Sequence, residues 1–161
     1  MNIHMIWAQD LEGAIGKDGT LPWHFSEDLK NFKKLTVDST VVMGRKTWES
    51  LPIKPLPKRR NIVISRTQKK EVESYTSIEL CIDRLRSDTD VSMVYIIGGM
   101  SVYKFFYDYS DALYITFIDR SYPDTDTFFP ISLSQIKSDF ILESTECMSK
   151  DLRFTKWIRK N

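Results

Sequence analysis

Short runs rich in valine and isoleucine recur along the chain and constrain its fold more than any other feature. They lack strict polar alternation, as strands buried on both faces of a parallel sheet do. The five predicted strands are residues 3–8, 40–43, 61–65, 93–97 and 113–118. The helical patterns between them are residues 25–36, the short stretch 45–51, a face formed by Ile78, Cys81, Ile82 and Leu85, and another formed by Met100, Tyr103, Phe106 and Tyr107. This alternation predicts an α/β fold with a central, mostly parallel twisted sheet and about four flanking helices.

The C-terminal part follows a different pattern. Residues 140–144 and 152–158 are predicted strands with no helix between them, so we expect them to pair antiparallel at one edge of the sheet. No repeat, low-complexity tract or break in composition separates one part of the chain from another. We therefore expect a single domain over residues 1–161, which is long enough to bury its own core.

Composition excludes several classes of protein. The 23 basic and 22 acidic side chains nearly cancel, which argues against nucleic-acid binding by bulk electrostatics. Cys81 and Cys147 lie far apart and outside any metal-ligand spacing, so neither a disulfide framework nor a metal site is expected. The sequence begins without a signal-peptide pattern, and no apolar stretch has membrane-spanning length. We expect a cytoplasmic, monomeric protein with no membrane partner.

A glycine-containing loop followed by an acidic helix is the leading candidate for a functional site. Residues 14–23 read AIGKDGTLPW, and Asp28 follows five positions later. Gly16 and Gly19 allow the backbone to approach a ligand closely. Pro22 favours an extended residue before it, which gives the loop a defined exit.

Asp28 has two interpretations that the pattern alone leaves open. It lies on the edge of an apolar helical stripe, where a carboxylate is costly unless a cation or a hydrogen-bond donor meets it. It would then orient a ligand or tune the proton affinity of that ligand. In the other interpretation, the acid is merely favoured by the helix dipole in the first turn, beside Ser26 as a helix cap.

Three turns after predicted strands could bind anions, because ligands of open α/β sheets lie beyond the carboxyl ends of the strands. These turns are Gly44-Arg45-Lys46-Thr47, Ser65-Arg66 and Gly98-Gly99-Met100. Each is a weak signal by itself, since such residues are common in solvated turns. Together they indicate a ligand with more than one phosphate, such as a phosphorylated dinucleotide. The Rossmann fingerprint is absent, so a dinucleotide would bind in another way.

These motifs resemble the dihydrofolate reductase family of the bacterial chromosomal type, from Ile3 to about Ile158. The matching segments, in the family order, are Ile-Trp-Ala-Gln-Asp, Ile-Gly-x-x-x-x-Leu-Pro-Trp, Val-Met-Gly-Arg-Lys-Thr-Trp-Glu-Ser, Pro-Leu-Pro-x-Arg-x-Asn, Ile-Ile-Gly-Gly and Asp-Thr-x-Phe-Pro. The resemblance implies a dihydrofolate-reductase-like fold and reduction of dihydrofolate by NADPH, with hydride delivered to C6 and a proton to N5. The cofactor would supply the redox chemistry, and antifolate inhibitors would bind the substrate pocket.

On the substrate side, the resemblance implies that Asp28 binds the pterin 2-amino group and N3, and that Thr116 hydrogen-bonds this carboxylate. Leu21 and Trp23 join them as predicted catalytic residues. Arg59 matches the arginine that binds the α-carboxylate of the glutamate tail, a task suited to a bidentate donor. The other predicted substrate-binding residues are Ile6, Leu29, Phe32, Leu51, Lys54, Leu56 and Ile97.

On the cofactor side, the resemblance implies contacts from three groups of residues and control of a mobile loop by Asp126. The residues predicted near the nicotinamide are Ala8, Ala14, Ile15, Gly16, Lys17, Asp18, Gly19, Thr20 and Tyr103. Those predicted for the adenosine ribose and the phosphates are Gly44, Arg45, Lys46, Thr47, Ser65 and Arg66, where three cations favour NADPH over NADH. The third group comprises Gly98, Gly99, Met100, Ser101 and Val102, with a cis peptide between the two glycines.

Three residues depart from the family pattern. Lys54 stands where an arginine often supports the substrate tail, Lys58 where glycine is common, and Thr76 where a lysine can flank the adenine. These departures concern the affinity for the glutamate tail of the substrate and for the cofactor, and they do not concern the reaction itself. Two alternatives remain: a reductase of the same fold acting on a pyrimidine intermediate of riboflavin synthesis, and a catalytically silent NADPH-binding module. The pairing of Asp28 with Arg59 favours a pterin with an acidic tail.

Overall fold

The computed structural model describes residues 1–16 and 23–161, and the elements below are those of the described residues. The strands are β1 Asn2–Gln9, β2 Ala14–Gly16, β3 Thr40–Gly44, β4 Arg60–Ile64, β5 Glu73–Tyr75, β6 Met93–Ile96, β7 Ala112–Ile118, β8 Thr127–Phe128, β9 Phe140–Ser149 and β10 Leu152–Arg159. The helices are α1 Ser26–Thr36, α2 Arg45–Ser50, α3 Ile78–Ser87, α4 Met100–Phe106 and α5 Leu133–Asp139, with a 3₁₀ turn at Tyr107–Tyr109.

Eight of these strands form one sheet in the order β5-β4-β3-β6-β1-β7-β10-β9. The first six run parallel to one another, and β10 is antiparallel to both β7 and β9. A separate two-stranded sheet pairs β2 with β8. The predicted α/β fold is therefore confirmed, with its mostly parallel sheet and its antiparallel C-terminal edge.

The central strands are buried on both faces, which explains their continuous apolar runs. In β3, Val41, Val42 and Met43 are all fully buried. Successive side chains of β1 enter two apolar clusters: Met5 packs in the larger one, and Ile6 packs in the one on the other face. Helices cover both faces of the sheet, and the carboxyl ends of the parallel strands are left for a site.

Short and exposed elements were not predicted. The strands β2, β5 and β8 have only two or three residues, too few for a periodic pattern. Helix α5 was also missed, although the side chain of Ser132 caps it by accepting a hydrogen bond from the backbone N–H of Gln135. The prediction ended β9 at residue 144, but the strand continues to Ser149. The end was missed because this edge strand is almost wholly exposed, so its sequence has no apolar pattern. Two register shifts interrupt its pairing with β10.

The proposed capping role of Ser26 was wrong. Ser26 is the first residue of α1, and the N-cap is Phe25, which makes no side-chain cap hydrogen bond. The apolar stripe of α1 packs on the core only in part: Phe32 contacts the apolar cluster that contains Ile6 and Thr36 is buried, whereas Leu29 remains 44% exposed. Helix α1 therefore covers one face of the sheet with its later residues and leaves Leu29 exposed.

None of the described helices is long and apolar enough to cross a membrane. Within residues 1–16 and 23–161, no group of three or more His, Cys, Asp or Glu side chains is arranged to hold a metal ion.

Two leucines of α3 provide a matched test of the core. Leu85 is 0% exposed, whereas Leu80 on the same helix is 54% exposed. Leu85→Ala should lower the free energy of unfolding by about 2–5 kcal/mol, because it removes buried methyl groups and leaves a cavity. Leu80→Ala should change it by less than about 0.5 kcal/mol. Urea unfolding of both variants measures this, and equal losses would contradict the observed packing of α3.

Candidate active site

Asp28 and Thr116 meet between α1 and the sheet. The hydroxyl of Thr116, in β7, donates a 2.7 Å hydrogen bond to Oδ1 of Asp28. The two residues are 88 positions apart, so the fold itself creates this contact. The structure thus contains the hydrogen bond that the resemblance implied.

Burial sets the electrostatics of this pair. Burial raises the pKa of Asp28 above the ordinary aspartate value, and the hydrogen bond from Thr116 offsets part of the increase. Burial also raises the pKa of Tyr103, and the negative charge of Asp28 adds to that increase. A carboxylate in such surroundings gains from any ligand that donates hydrogen bonds to it.

An apolar wall lies on the same face of the sheet. Ile6 is a buried member of the second apolar cluster, and four more of the predicted substrate-binding residues pack against that cluster: Phe32, Leu51, Leu56 and Ile97. Leu29 lies exposed on α1, one residue after Asp28. The structure therefore brings five of the six predicted apolar residues together.

Trp23 is buried beside this region. Its ring lies 5.3 Å from that of Tyr122, centroid to centroid, and it packs with Ile118 and Leu152. The indole N–H of Trp23 is buried and meets no acceptor among the described residues. A buried N–H without a partner costs about 1–3 kcal/mol, so this donor favours a polar partner such as a ligand or a water molecule.

Arg59 and Lys54 are the two cationic residues predicted on the substrate side. Arg59 donates from Nη1 to the hydroxyl of Thr36 at 3.0 Å and from Nε to the carbonyl of Pro57 at 2.9 Å. Its guanidinium lies 5.8 Å from the ring centroid of Phe32. Lys54 is exposed and donates to the carbonyl of Glu49, just before the end of α2. Arg59 thus borders the apolar wall, whereas Lys54 is held against α2.

The ends of β3 and β6 approach each other at glycines. The peptide bond between Gly98 and Gly99 is cis, and the backbone N–H of Gly44 donates to the carbonyl of Gly98 at 2.7 Å. A Cβ on Gly98 would lie 3.3 Å from Oγ1 of Thr47, and Gly98 has a φ of +125°. A Cβ on Gly44 would lie 3.3 Å from Cγ2 of Val102. Larger residues in place of Gly44 and Gly98 would fill the space between the first turns of α2 and α4.

The predicted phosphate-binding residues follow neighbouring strand ends. Gly44 of β3 pairs with Ile64 of β4, so Arg45 and Ser65 begin from adjacent points of the sheet. Arg45 lies half-exposed and binds both carboxylate oxygens of Glu49, at 2.9 and 3.0 Å. Four other predicted residues here are exposed: Lys46, Arg66, Met100 and Ser101. Thr47 is half-buried, and Ser65 and Val102 are buried. The N-caps of α2 and α4 make no side-chain cap hydrogen bond, so their first-turn N–H groups suit an anion.

The predicted nicotinamide side adjoins Thr116. Ala8 pairs with Thr116 across β1 and β7, and the hydroxyl of Tyr103 donates to the carbonyl of Ile6 at 2.8 Å. The backbone N–H of Asp126 donates to the carbonyl of Gly16 at 3.3 Å, next to the pairing of β2 with β8. Ala14 and Ile15 belong to β2. The predictions for Lys17, Asp18, Gly19, Thr20 and Leu21 concern positions outside the described residues.

Comparison with known proteins decides the family. A sequence model described as dihydrofolate reductase matches residues 2–158. The chain belongs to the dihydrofolate reductase family. It is 40% identical over 134 residues to a dihydrofolate reductase of Staphylococcus aureus, with 81% of this chain and 79% of the relative covered. It is 36% identical over 155 residues to that of Bacillus subtilis, with 92% and 86% covered.

A solved structure gives the same answer for the fold. The dihydrofolate reductase from Enterococcus faecalis, complexed with NADP(H) and RAB-propyl, is 32% identical and superimposes with a TM-score of 0.86. The alignment covers 99% of this chain and 97% of that structure.

Two aromatic residues near this dihydrofolate reductase site were not singled out from the sequence. Phe129 stacks on Trp7 with a centroid distance of 3.7 Å, and Tyr122 packs on Trp23. Phe129 lies within the Asp-Thr-x-Phe-Pro motif, which therefore carried a signal. Tyr122 lies in a loop, where no periodic pattern marks a buried neighbour.

The burial of Asp28 predicts a stabilising substitution. Because the folded state raises the pKa of Asp28, wild-type stability should fall as the pH rises from the ordinary aspartate value through the folded-state pKa. Asp28→Asn keeps an oxygen for the hydroxyl of Thr116 and removes the buried charge. The free energy of unfolding of this variant should exceed that of the wild type at neutral pH, and the difference should shrink in acid. Urea unfolding at several pH values measures it.

Glu27→Gln is the matched control, since it removes an exposed carboxylate from the same helical turn. Its free energy of unfolding at neutral pH should not rise by a comparable amount. A less stable Asp28→Asn variant at neutral pH, or a gain that grows towards acid, would contradict this account of the carboxylate.

Proposed function

We propose that this enzyme reduces 7,8-dihydrofolate to 5,6,7,8-tetrahydrofolate with NADPH, adding a hydride at C6 and a proton at N5. The observation that carries the proposal is the half-buried carboxylate of Asp28, bonded to Thr116 beside an apolar wall. A pterin fits this combination, because it has a flat apolar body and an edge of hydrogen-bond donors. Tetrahydrofolate would then supply one-carbon metabolism.

Asp28 holds the pterin in our proposal. Its carboxylate accepts hydrogen bonds from the 2-amino group and N3, which replaces lost hydration with charge-assisted bonds. Thr116 fixes the carboxylate from the side of the sheet. The negative charge beside the ring raises the basicity of the ring, so that N5 gains its proton more readily.

Trp23 and the apolar residues complete the substrate pocket. The indole N–H of Trp23, which meets no acceptor among the described residues, can donate to the pterin or to a water molecule between them. Ile6, Phe32 and Ile97 exclude bulk water from the ring, and Leu51 and Leu56 border the benzoyl group. Antifolates with a similar flat, basic ring would compete for the same residues.

Arg59 binds the α-carboxylate of the glutamate tail in this proposal. Its contacts with Thr36 and Pro57 fix the guanidinium at the rim beside Phe32. Lys54 is engaged with the carbonyl of Glu49, so we assign it a weaker and more distant effect on the tail.

The residues of the cofactor side fit a phosphorylated dinucleotide. The close glycines Gly44 and Gly98 leave space that a Cβ would fill, and two uncapped helix starts meet there. When bound, NADPH supplies the hydride. Arg45, Lys46 and Arg66 would neutralise its phosphates, and Ala8 with Ile15 and Gly16 would orient the nicotinamide. Asp126, whose backbone N–H donates to the carbonyl of Gly16, would control the position of the active-site loop.

We propose that one copy of the chain is active in the cytoplasm. Both cysteines are free in the structure, which suits a reducing compartment.

The decay of NADPH absorbance with dihydrofolate tests the reaction. The wild type should turn over rapidly, and Asp28→Asn should lose on the order of 100-fold or more in kcat at neutral pH while still binding NADPH. The variant should recover part of its activity in acid, where dihydrofolate arrives already protonated. Glu27→Gln should keep wild-type activity. A folded wild type that binds NADPH without reducing dihydrofolate would overturn the proposal.

The tail site has its own test. Arg59→Ala should raise the KM for dihydrofolate by about tenfold or more, because it removes a bidentate, charge-assisted contact. A dihydropterin without the glutamate tail should be reduced equally by this variant and the wild type. An unchanged KM for dihydrofolate would remove Arg59 from the site.

A further inference from the structure

A buried acid lies directly after β1, outside the proposed substrate and cofactor contacts. Asp10 is 1% exposed. Its Oδ1 accepts hydrogen bonds from the backbone N–H groups of Glu12 and Ala14, both at 2.9 Å. Its Oδ2 accepts from the backbone N–H of Tyr122, also at 2.9 Å. A carboxylate is costly to bury, and three donors on one carboxylate offset that cost.

One oxygen of this carboxylate determines where β2 begins. Ala14 is the first residue of β2, and a second bond, from the backbone N–H of Asp10 to the carbonyl of Ala14, joins the same two residues at 3.1 Å. Ile15 and Gly16 follow in β2, where we place the nicotinamide. Oδ1 of Asp10 therefore positions part of the proposed cofactor site.

The other oxygen holds the segment that contacts Trp23. Tyr122 donates its backbone N–H to Oδ2, and its ring packs against Trp23 at 5.3 Å. Trp23 carries the buried indole N–H that we assign to the substrate side. Oδ2 of Asp10 therefore positions a neighbour of the proposed substrate site.

We infer that Asp10 is a positioning residue for hydride transfer, one carboxylate that fixes β2 on the cofactor side relative to Tyr122 and Trp23 on the substrate side. This inference rests on the proposed function. It assigns Asp10 no contact with substrate or cofactor. Its effect on catalysis passes through two backbone amides, those of Ala14 and Tyr122.

Two substitutions of Asp10 can separate its effect on β2 from its effect on Tyr122. Asp10→Asn offers one oxygen and one amino group. Its oxygen is best used towards Glu12 and Ala14, which together supply two donors, so the amino group then faces the N–H of Tyr122. The bonds to β2 survive in this orientation, and the bond to Tyr122 is lost. Asp10→Ala loses both.

Asp111 offers a matched control at the other end of β1. Its carboxylate accepts the backbone N–H of Ile3 at 2.8 Å, so it also ties β1 to another segment through a carboxylate–amide bond. We assign Asp111 no part in the site. Asp111→Ala should therefore lower the stability of the fold without lowering kcat/KM.

The experiment measures steady-state kinetics, NADPH affinity, urea stability and amide hydrogen exchange for the full chain and these three variants. Asp10→Ala should lose about tenfold or more in kcat/KM for both NADPH and dihydrofolate, and the amides of Ala14 and Tyr122 should lose protection. Asp10→Asn should lose protection at Tyr122 only, and its kcat/KM should fall mainly for dihydrofolate. Asp111→Ala should lose stability and keep wild-type kinetics.

Several outcomes would overturn the inference. One is wild-type kinetics in a folded Asp10→Ala variant, and another is a catalytic loss in Asp111→Ala equal to that in Asp10→Ala. If both Asp10 variants fail to fold, Asp10 is required for folding and the positioning role is wrong. A wild type inactive on dihydrofolate would instead refute the proposed function, whereas amide exchange and NADPH affinity would still test the coupling of β2 to Tyr122.

Discussion

The parallel pairing of β1 with its neighbours places the chemistry of this molecule. Ala8 lies beside Thr116 only because β1 and β7 run in the same direction in this register. A slip of one residue would turn Thr116 away from α1 and break its hydrogen bond with Asp28. Ile6 faces the same side as Ala8, so a single strand supplies both the apolar wall and the proposed nicotinamide contact. The contacts of the site therefore depend on the register of the sheet.

Continuous apolar runs made the sheet predictable from the sequence. The runs at 40–43 and 113–118 match β3 and β7 closely, because strands buried on both faces must be apolar throughout. The same physical reasoning fails at surfaces. β9 is exposed over most of its length and follows no pattern, and β2 and β8 are too short to show one.

The sequence alone predicted less of the site than of the fold. Spacing alone left Asp28 open between a ligand contact and a helix-dipole preference, and the resemblance to a family favoured the first. The structure adds what neither could supply: the contacts of Arg59 with Thr36 and Pro57, and the pairing of Arg45 with Glu49. Such contacts depend on side-chain conformations across several elements, which no local pattern records. The roles of these residues in binding stay predictions.

The ten residues of β9 form one edge of the sheet, and their free backbone groups would suit pairing with a strand of another molecule. Two register shifts bend this edge, and Glu143 and Lys156 place charges along it. A bent, charged edge is a poor template for intermolecular β-pairing. We therefore expect the irregularity of β9 to disfavour β-pairing between copies of the chain, although it adds nothing to the site.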